Sequence, residues 1–99
     1  MYASVTKMVI GEYMVVEYLD SKTIKIVLLL NENPEGVNIR SIAEELSMSH
    51  TTVYNALITL FKLGLAVERR ERGRRIIVLS DRGRGVAELL LKIDELLRH

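Results

Sequence analysis

A mostly helical α+β fold is predicted by three observations. Two stretches between residues 38 and 63 place apolar residues at helical spacing and are joined by a short polar turn. A pair of β-compatible runs around a glycine follows directly. The window around those runs, residues 62 to 84, carries a net +5 in a chain whose total is only +1.

Residues 1 to 19 fit neither template cleanly. Val5, Val9, Ile10, Tyr13, Val15, Val16 and Tyr18 favour strand, yet Val5, Met8 or Val9, Tyr13, Val16 and Leu19 also follow a helical spacing. Lys7, Glu12 and Glu17 are scattered around a helical wheel, so the expectation is extended structure, a strand pair turning near Gly11. This apolar surface must be covered by its own domain or by a second subunit. Asp20 and Ser21 then open a scaffold helix that runs through Leu30 and closes over Asn31 to Gly36, where Pro34 and Gly36 forbid continuation. It is nearly apolar at its end and belongs in the centre of the core.

In the first helix of the pair, Asn38 is the cap and Ile39, Ile42, Ala43 and Leu46 share one face. Ser49 offers a side-chain oxygen to the free N–H groups of the turn that begins at His50. The second helix turns Val53, Leu57, Leu60 and Phe61 to the core, with Ala56 and Leu63 beside them, and Gly64 stands where a left-handed residue commonly ends a helix. Its other face carries His50, Thr51, Thr52, Tyr54, Asn55, Thr59 and Lys62. These side chains exchange hydrogen bonds or touch a thymine methyl, whereas a merely soluble helix more often shows Glu and Lys. Taken alone, the face is equally compatible with a plain polar surface.

The next segment decides between them. Residues 62 to 84 hold Lys62 and seven arginines against Glu68, Glu71 and Asp81, a net +5, while residues 1 to 61 carry −3 and residues 85 to 99 carry −1. Positive charge directly after a candidate recognition helix gives a field attractive to phosphate. Leu65 to Glu71 and Arg75 to Leu79 are the β-compatible runs, and Arg72-Gly73-Arg74 is the turn, with Gly73 free to take positive φ. Arginines crown a tip narrow enough for a minor groove. The alternative is a solvated hairpin whose arginines pair with Glu68 and Glu71. Helix, turn, helix and basic hairpin together form the layout of a winged helix-turn-helix.

Ser80 caps a last helix, with Asp81 at its positive end. Val86, Leu90, Ile93 and Leu97 step by four, three and four, and Leu89 and Leu96 widen the stripe. A helix of about 17 residues is ~25 Å long, more than this small domain can cover. The stripe therefore predicts packing against a symmetry mate, with folding back onto its own domain as the alternative. Residues 1 to 99 form a single winged-helix domain: an N-terminal extension (1–19), the core (20–80) and a dimerisation helix (81–99).

Residues 37 to 85 resemble the winged helix-turn-helix of small prokaryotic transcription regulators of the MarR and ArsR type. The matching features are Ile42-Ala43-Glu44-Glu45-Leu46, Thr52-Val53 and Leu57, the exit from Leu60 to Leu65, Arg74-Arg75, and Leu79-Ser80-Asp81-Arg82-Gly83. Two features depart from the pattern. Ser47 stands where many such turns have Gly, a substitution costing about 1 kcal/mol in a left-handed turn, and the hairpin runs slightly longer. The resemblance implies a recognition helix, beginning at Ser49, in the major groove and a hairpin serving as the wing.

The function predicted is sequence-specific binding of double-stranded DNA by a homodimer that reads an inverted repeat. Thr51, Tyr54 and Asn55 reach base edges, Asn55 being suited to adenine. His50, Thr52 and Lys62 hold phosphates with the helix N-terminus that Ser49 caps. At the wing, Arg72 and Arg74 flank Gly73 and probe the minor groove, and Arg69, Arg70 and Arg75 contact phosphates. Val86, Leu89, Leu90, Ile93, Leu96 and Leu97 form the dimer interface.

Other classes find little support. The chain has no Cys and two His, and no glycine-rich phosphate loop or metal-ligand spacing, so neither an enzyme nor a bound metal or cofactor is expected. The longest apolar run, Ile26 to Leu30, is far too short to cross a bilayer, and no signal peptide appears, which reads as cytoplasmic. MarR-like proteins often bind small ligands near the dimer interface, but no residue cluster marks such an effector pocket here. Two rivals stay open: a winged-helix protein-interaction module, favoured by the apolar N-terminus, and a non-specific DNA-coating protein.

Overall fold

The computed structural model describes residues 8–99. After a 3-10 turn at Ile10–Glu12 come α1 (Met14–Tyr18), α2 (Ser21–Glu32), β1 (Val37–Asn38), α3 (Ile39–Leu46), α4 (His50–Lys62), β2 (Ala66–Glu71), β3 (Arg74–Leu79) and α5 (Asp81–Arg98). The strands form one antiparallel sheet in the order β1-β3-β2. The architecture is the mostly helical winged helix-turn-helix that the sequence predicts.

Each long helix begins on a side-chain cap. Asp20 accepts from the Thr23 amide at 2.9 Å and Asn38 from the Ser41 amide at 2.8 Å. Ser49 and Ser80 do the same for Thr52 and Gly83, at 3.1 and 3.0 Å. Such caps satisfy donors that have no partner within the helix. Helix α2 supplies Ile26, Val27 and Leu30, all buried, and extends to Glu32, two residues past its predicted end. Ile42, Val53, Leu57, Leu60 and Ile77 close the core around them.

Two sharp turns place the elements. Ser47 adopts the left-handed conformation (φ 53°), and the Met48 amide donates to the Ala43 carbonyl at 2.9 Å, so the turn forms without the usual glycine. Gly36, at φ 104°, passes so close to Ile76 and Val78 that a Cβ would collide with both, which lets β1 pair with β3.

Four expectations are corrected. The N-terminal stretch is helical rather than extended from Ile10 onward. Here the backbone satisfies itself locally, with Glu12 N–H on the Val9 carbonyl at 2.8 Å and Glu17 N–H on that of Tyr13 at 3.0 Å, whereas an isolated strand pair would have no third strand to pack with. Val5 and Lys7 lie outside the described residues. Phe61 is 37% exposed, because a helix advances about 100° per residue and Val53, Ala56, Leu57 and Leu60 already fill the arc facing the core. The wing turn is tighter than expected: Arg74 is paired with Glu71 in the sheet, leaving only Arg72 and Gly73 in the loop, both at positive φ, the pattern of a type I′ hairpin. In α5, Val86 and Leu90 pack against their own core beside the buried Ala87, while Leu89, Ile93, Leu96 and Leu97 are exposed together with Leu91.

The N-terminal segment lies near the start of α5, where Met14, Val15 and Leu19 face Leu63, Leu65 and Val86 around an apolar hollow. At this end α5 approaches the chain closely: a Cβ on Gly83 would overlap the Leu65 carbonyl, whereas Gly85 has open space around it. Gly83→Ala is therefore expected to lower stability by about 1–3 kcal/mol, and Gly85→Ala to raise it by about 0.5–1 kcal/mol. Urea unfolding of the two variants checks this, and equal midpoints would contradict the packing described.

Candidate nucleic-acid interface

The outward face of α4 is built from its first residue. Ser49 accepts from the Thr52 amide, and its hydroxyl donates to the Thr52 hydroxyl at 3.0 Å. Thr52 is thereby drawn into the cap and half-buried. At about 100° per residue, Thr51, Asn55, Ile58 and Lys62 form the ridge farthest from the core, and all four are exposed. Tyr54 and His50 lean towards the wing, where they line a cleft with Asn38, Arg40, Arg74 and Arg75. Thr52 and Thr59 lean the other way, lining a polar groove with Asp20 and Lys22. Thr59 also turns its hydroxyl back onto the Asn55 carbonyl, at 3.4 Å.

Strand alternation sorts the wing arginines into distinct groups. Glu68, Arg70 and Arg75 share one face of the hairpin, and Arg69, Glu71 and Arg74 share the other. Arg75 donates from Nε and Nη2 to the two carboxylate oxygens of Glu68, at 3.1 and 2.9 Å. Its guanidinium carbon lies 6.0 Å from the centre of the Tyr54 ring. This fork holds the Glu68 carboxyl below its usual pKa and raises that of Arg75. Arg69 donates to the Glu35 carbonyl at 2.8 Å and meets Glu71 at 2.9 Å, which fastens β2 to the turn before β1. Pairing with Glu68 and Glu71 thus accounts for Arg75 and Arg69 alone. Among the described residues Arg70, Arg72 and Arg74 form no ion pair, and the last two stand at the tip.

Two residues at this surface escaped the sequence reading. Ile58 is 53% exposed in the middle of the polar ridge, an apolar break in the pattern of that face. Arg40, in the first turn of α3, joins the wing-side cleft and holds only a long contact with Glu44, 3.6 Å, at the surface. Its local signal was a lone cation two residues after a cap. Among the described residues, no group of His, Cys, Asp or Glu is placed to hold a metal ion, and no helix is long and apolar enough to cross a membrane.

A family model described as "HTH domain" matches residues 22–87, from α2 into α5. No curated protein sequence matches the chain. Among solved structures it is similar to ZitR of Lactococcus lactis, seen as the apo form of a double mutant, at 26% identity and TM-score 0.74 over 82% of this chain and 62% of that one. It is similar in fold to MepR, a transcription regulator of the Staphylococcus aureus multidrug efflux pump MepA, at 23% identity and TM-score 0.73, covering 79% of this chain and 60% of that one. A protein from Archaeoglobus fulgidus shares the fold at 18% identity and TM-score 0.74, covering 86% of this chain and 97% of its own. The chain thus spans somewhat under two thirds of ZitR and MepR.

The Ser49 cap orients the ridge, and its removal has a measurable cost. Ser49→Ala is expected to lower stability by ~1 kcal/mol, read as an earlier urea midpoint with an unchanged slope; an unmoved midpoint would mean that the cap contributes nothing.

Proposed function

The chain belongs to the HTH domain family, and from that premise we propose that it is a transcriptional regulator that binds double-stranded DNA sequence-specifically, as a homodimer, in the cytoplasm. The observation that carries this reading is a pairing of surfaces. The α4 ridge of Thr51, Asn55, Ile58 and Lys62 lies beside a hairpin whose Arg70, Arg72 and Arg74 are free of intramolecular ion pairs among the described residues. A major groove about 12 Å wide admits a helix of this kind.

In this reading Thr51, Tyr54 and Asn55 reach base edges, and Asn55 takes adenine through its amide. Lys62, His50 and Arg40 hold phosphates, with Arg70 beside them, and these contacts set register without carrying sequence. Arg72 and Arg74 enter the minor groove, where narrow A·T segments concentrate negative potential. Leu89, Ile93, Leu96 and Leu97, between 52% and 80% exposed on the outer turns of α5, are covered by the second copy. Exposed Val9, Ile10 and Val16 add to that apolar surface. A two-fold dimer presents its recognition helices to successive major grooves about 34 Å apart.

The test is fluorescence anisotropy with a selected duplex and a scrambled one, titrated between about 50 and 200 mM salt, together with light scattering for mass. The expected result is a preference of at least about a thousandfold and the mass of two chains. Asn55→Ala is expected to cost ~1–3 kcal/mol at one base pair, whereas Arg72→Ala weakens every sequence and reduces the salt slope by about one. Steep salt dependence without preference would make the protein a DNA coater; no binding at low salt would favour a protein-interaction module, and a monomer mass would remove the dimer.

A further inference from the structure

Seven arginines between residues 69 and 84 suggest a uniform electrostatic role, but Arg75 is set apart by its partners. We propose that Arg75 is a positioning residue, a strut between the wing and the recognition helix that grips Glu68 through its fork and Tyr54 through its face. The strut fixes the distance from the α4 ridge to the wing tip, so that both grooves are read by one rigid surface. This inference rests on the DNA-binding reading above.

The hairpin register creates the grip. Glu68 stands opposite Ile77 and Arg75 opposite Arg70, which makes Glu68 and Arg75 diagonal neighbours on the sheet face turned towards α4. Long side chains span such a diagonal, about 7–8 Å. Arg75 spends Nε and Nη2 on the two oxygens of Glu68, a planar match that lysine cannot reproduce. Its face is then left over the Tyr54 ring, at 6.0 Å. The Glu68 side chain is 29% exposed, the least of any acid in an ion pair among the described residues.

Electrostatics exclude the simpler role. An exposed pair of this kind adds little to stability, and together Glu68 and Arg75 bring no net charge to the phosphate-facing side. For Arg75 to grasp a phosphate it would have to release Glu68, leaving a bare carboxylate against a polyanion. Arg70, Arg72 and Arg74 carry no such penalty. The wing therefore divides its labour: three arginines seek DNA and Arg75 holds the frame.

The first measurement needs no DNA. In the nitrogen-15 spectrum of the free protein, the Arg75 Nε–H signal is expected to exchange more slowly with water than that of Arg72, and both Glu68→Gln and Tyr54→Leu are expected to shift it. An Arg75 signal that exchanges as fast as that of Arg72, or ignores both substitutions, overturns the strut. The second measurement repeats the anisotropy titrations with Arg75→Lys, which keeps the charge and loses the fork. Its preference for the selected duplex is expected to fall roughly tenfold with an unchanged salt slope; full retention of preference would show that only the charge matters. Glu68→Gln is expected to lower preference and steepen the slope by about one as Arg75 is released, while equal gains on both duplexes would reduce Glu68 to a repelling acid. Wild-type protein that lacks sequence preference while the Arg75 signal behaves as a strut would sink the DNA reading and leave the contact standing.

Discussion

Two adjacent carbonyl groups, those of Gly64 and Leu65, tie the exit of α4 and the base of the hairpin to the start of α5. Gly64 turns the chain out of α4 at φ 72°, and its carbonyl accepts the Ser80 hydroxyl at 2.6 Å. The Leu65 carbonyl accepts the Ser80 amide at 3.0 Å, with Gly83 pressed against it. The end of α4, the base of the hairpin and the start of α5 thus meet at one point. Only an absent side chain at position 83 permits that approach. Together with Ala87, Val86 and Leu90 on the core, this junction fixes how α5 sits against α4 and the hairpin.

The core and the candidate interface are built from separate residues. The core is apolar, with Thr23 its only buried polar side chain among the described residues, and none of the buried side-chain polar atoms lacks a hydrogen-bond partner. The α4 ridge and the wing tip lie entirely outside it. Substitution of side chains there is expected to cost folding little. The exception is Ser49, which caps α4 and stands at the start of its outward face.

What the sequence made legible was local. Caps at Asp20, Asn38, Ser49 and Ser80 are each read from a short polar side chain three residues before the amide it binds, so no tertiary information is needed. Helical periodicity likewise exposed the cores of α2, α3 and α4. The N-terminal segment was misread because its β-branched residues carry propensity without a partner strand, and propensity yields to available pairing. Which arginine meets which acid was beyond reach, because it depends on the length of the turn. With only Arg72 and Gly73 in the loop, Glu68 and Arg75 fall on one face; a single residue more would send every β3 side chain to the other. In α5 the stripe was visible, but its division between Val86 and Leu90 on the core and Leu96 and Leu97 outside it depended on where the domain ends.

The strand order leaves β2 at the margin of the sheet, with a row of backbone groups open along its outer side. Exposed margins of that kind invite other chains to add strands, the first step of aggregation. Four consecutive charged residues, Glu68, Arg69, Arg70 and Glu71, occupy this one. A neighbouring molecule that tried to dock a strand there would bring like charges together and strip them of water. The charges that line this strand therefore also act against the sheet extending itself into a second molecule.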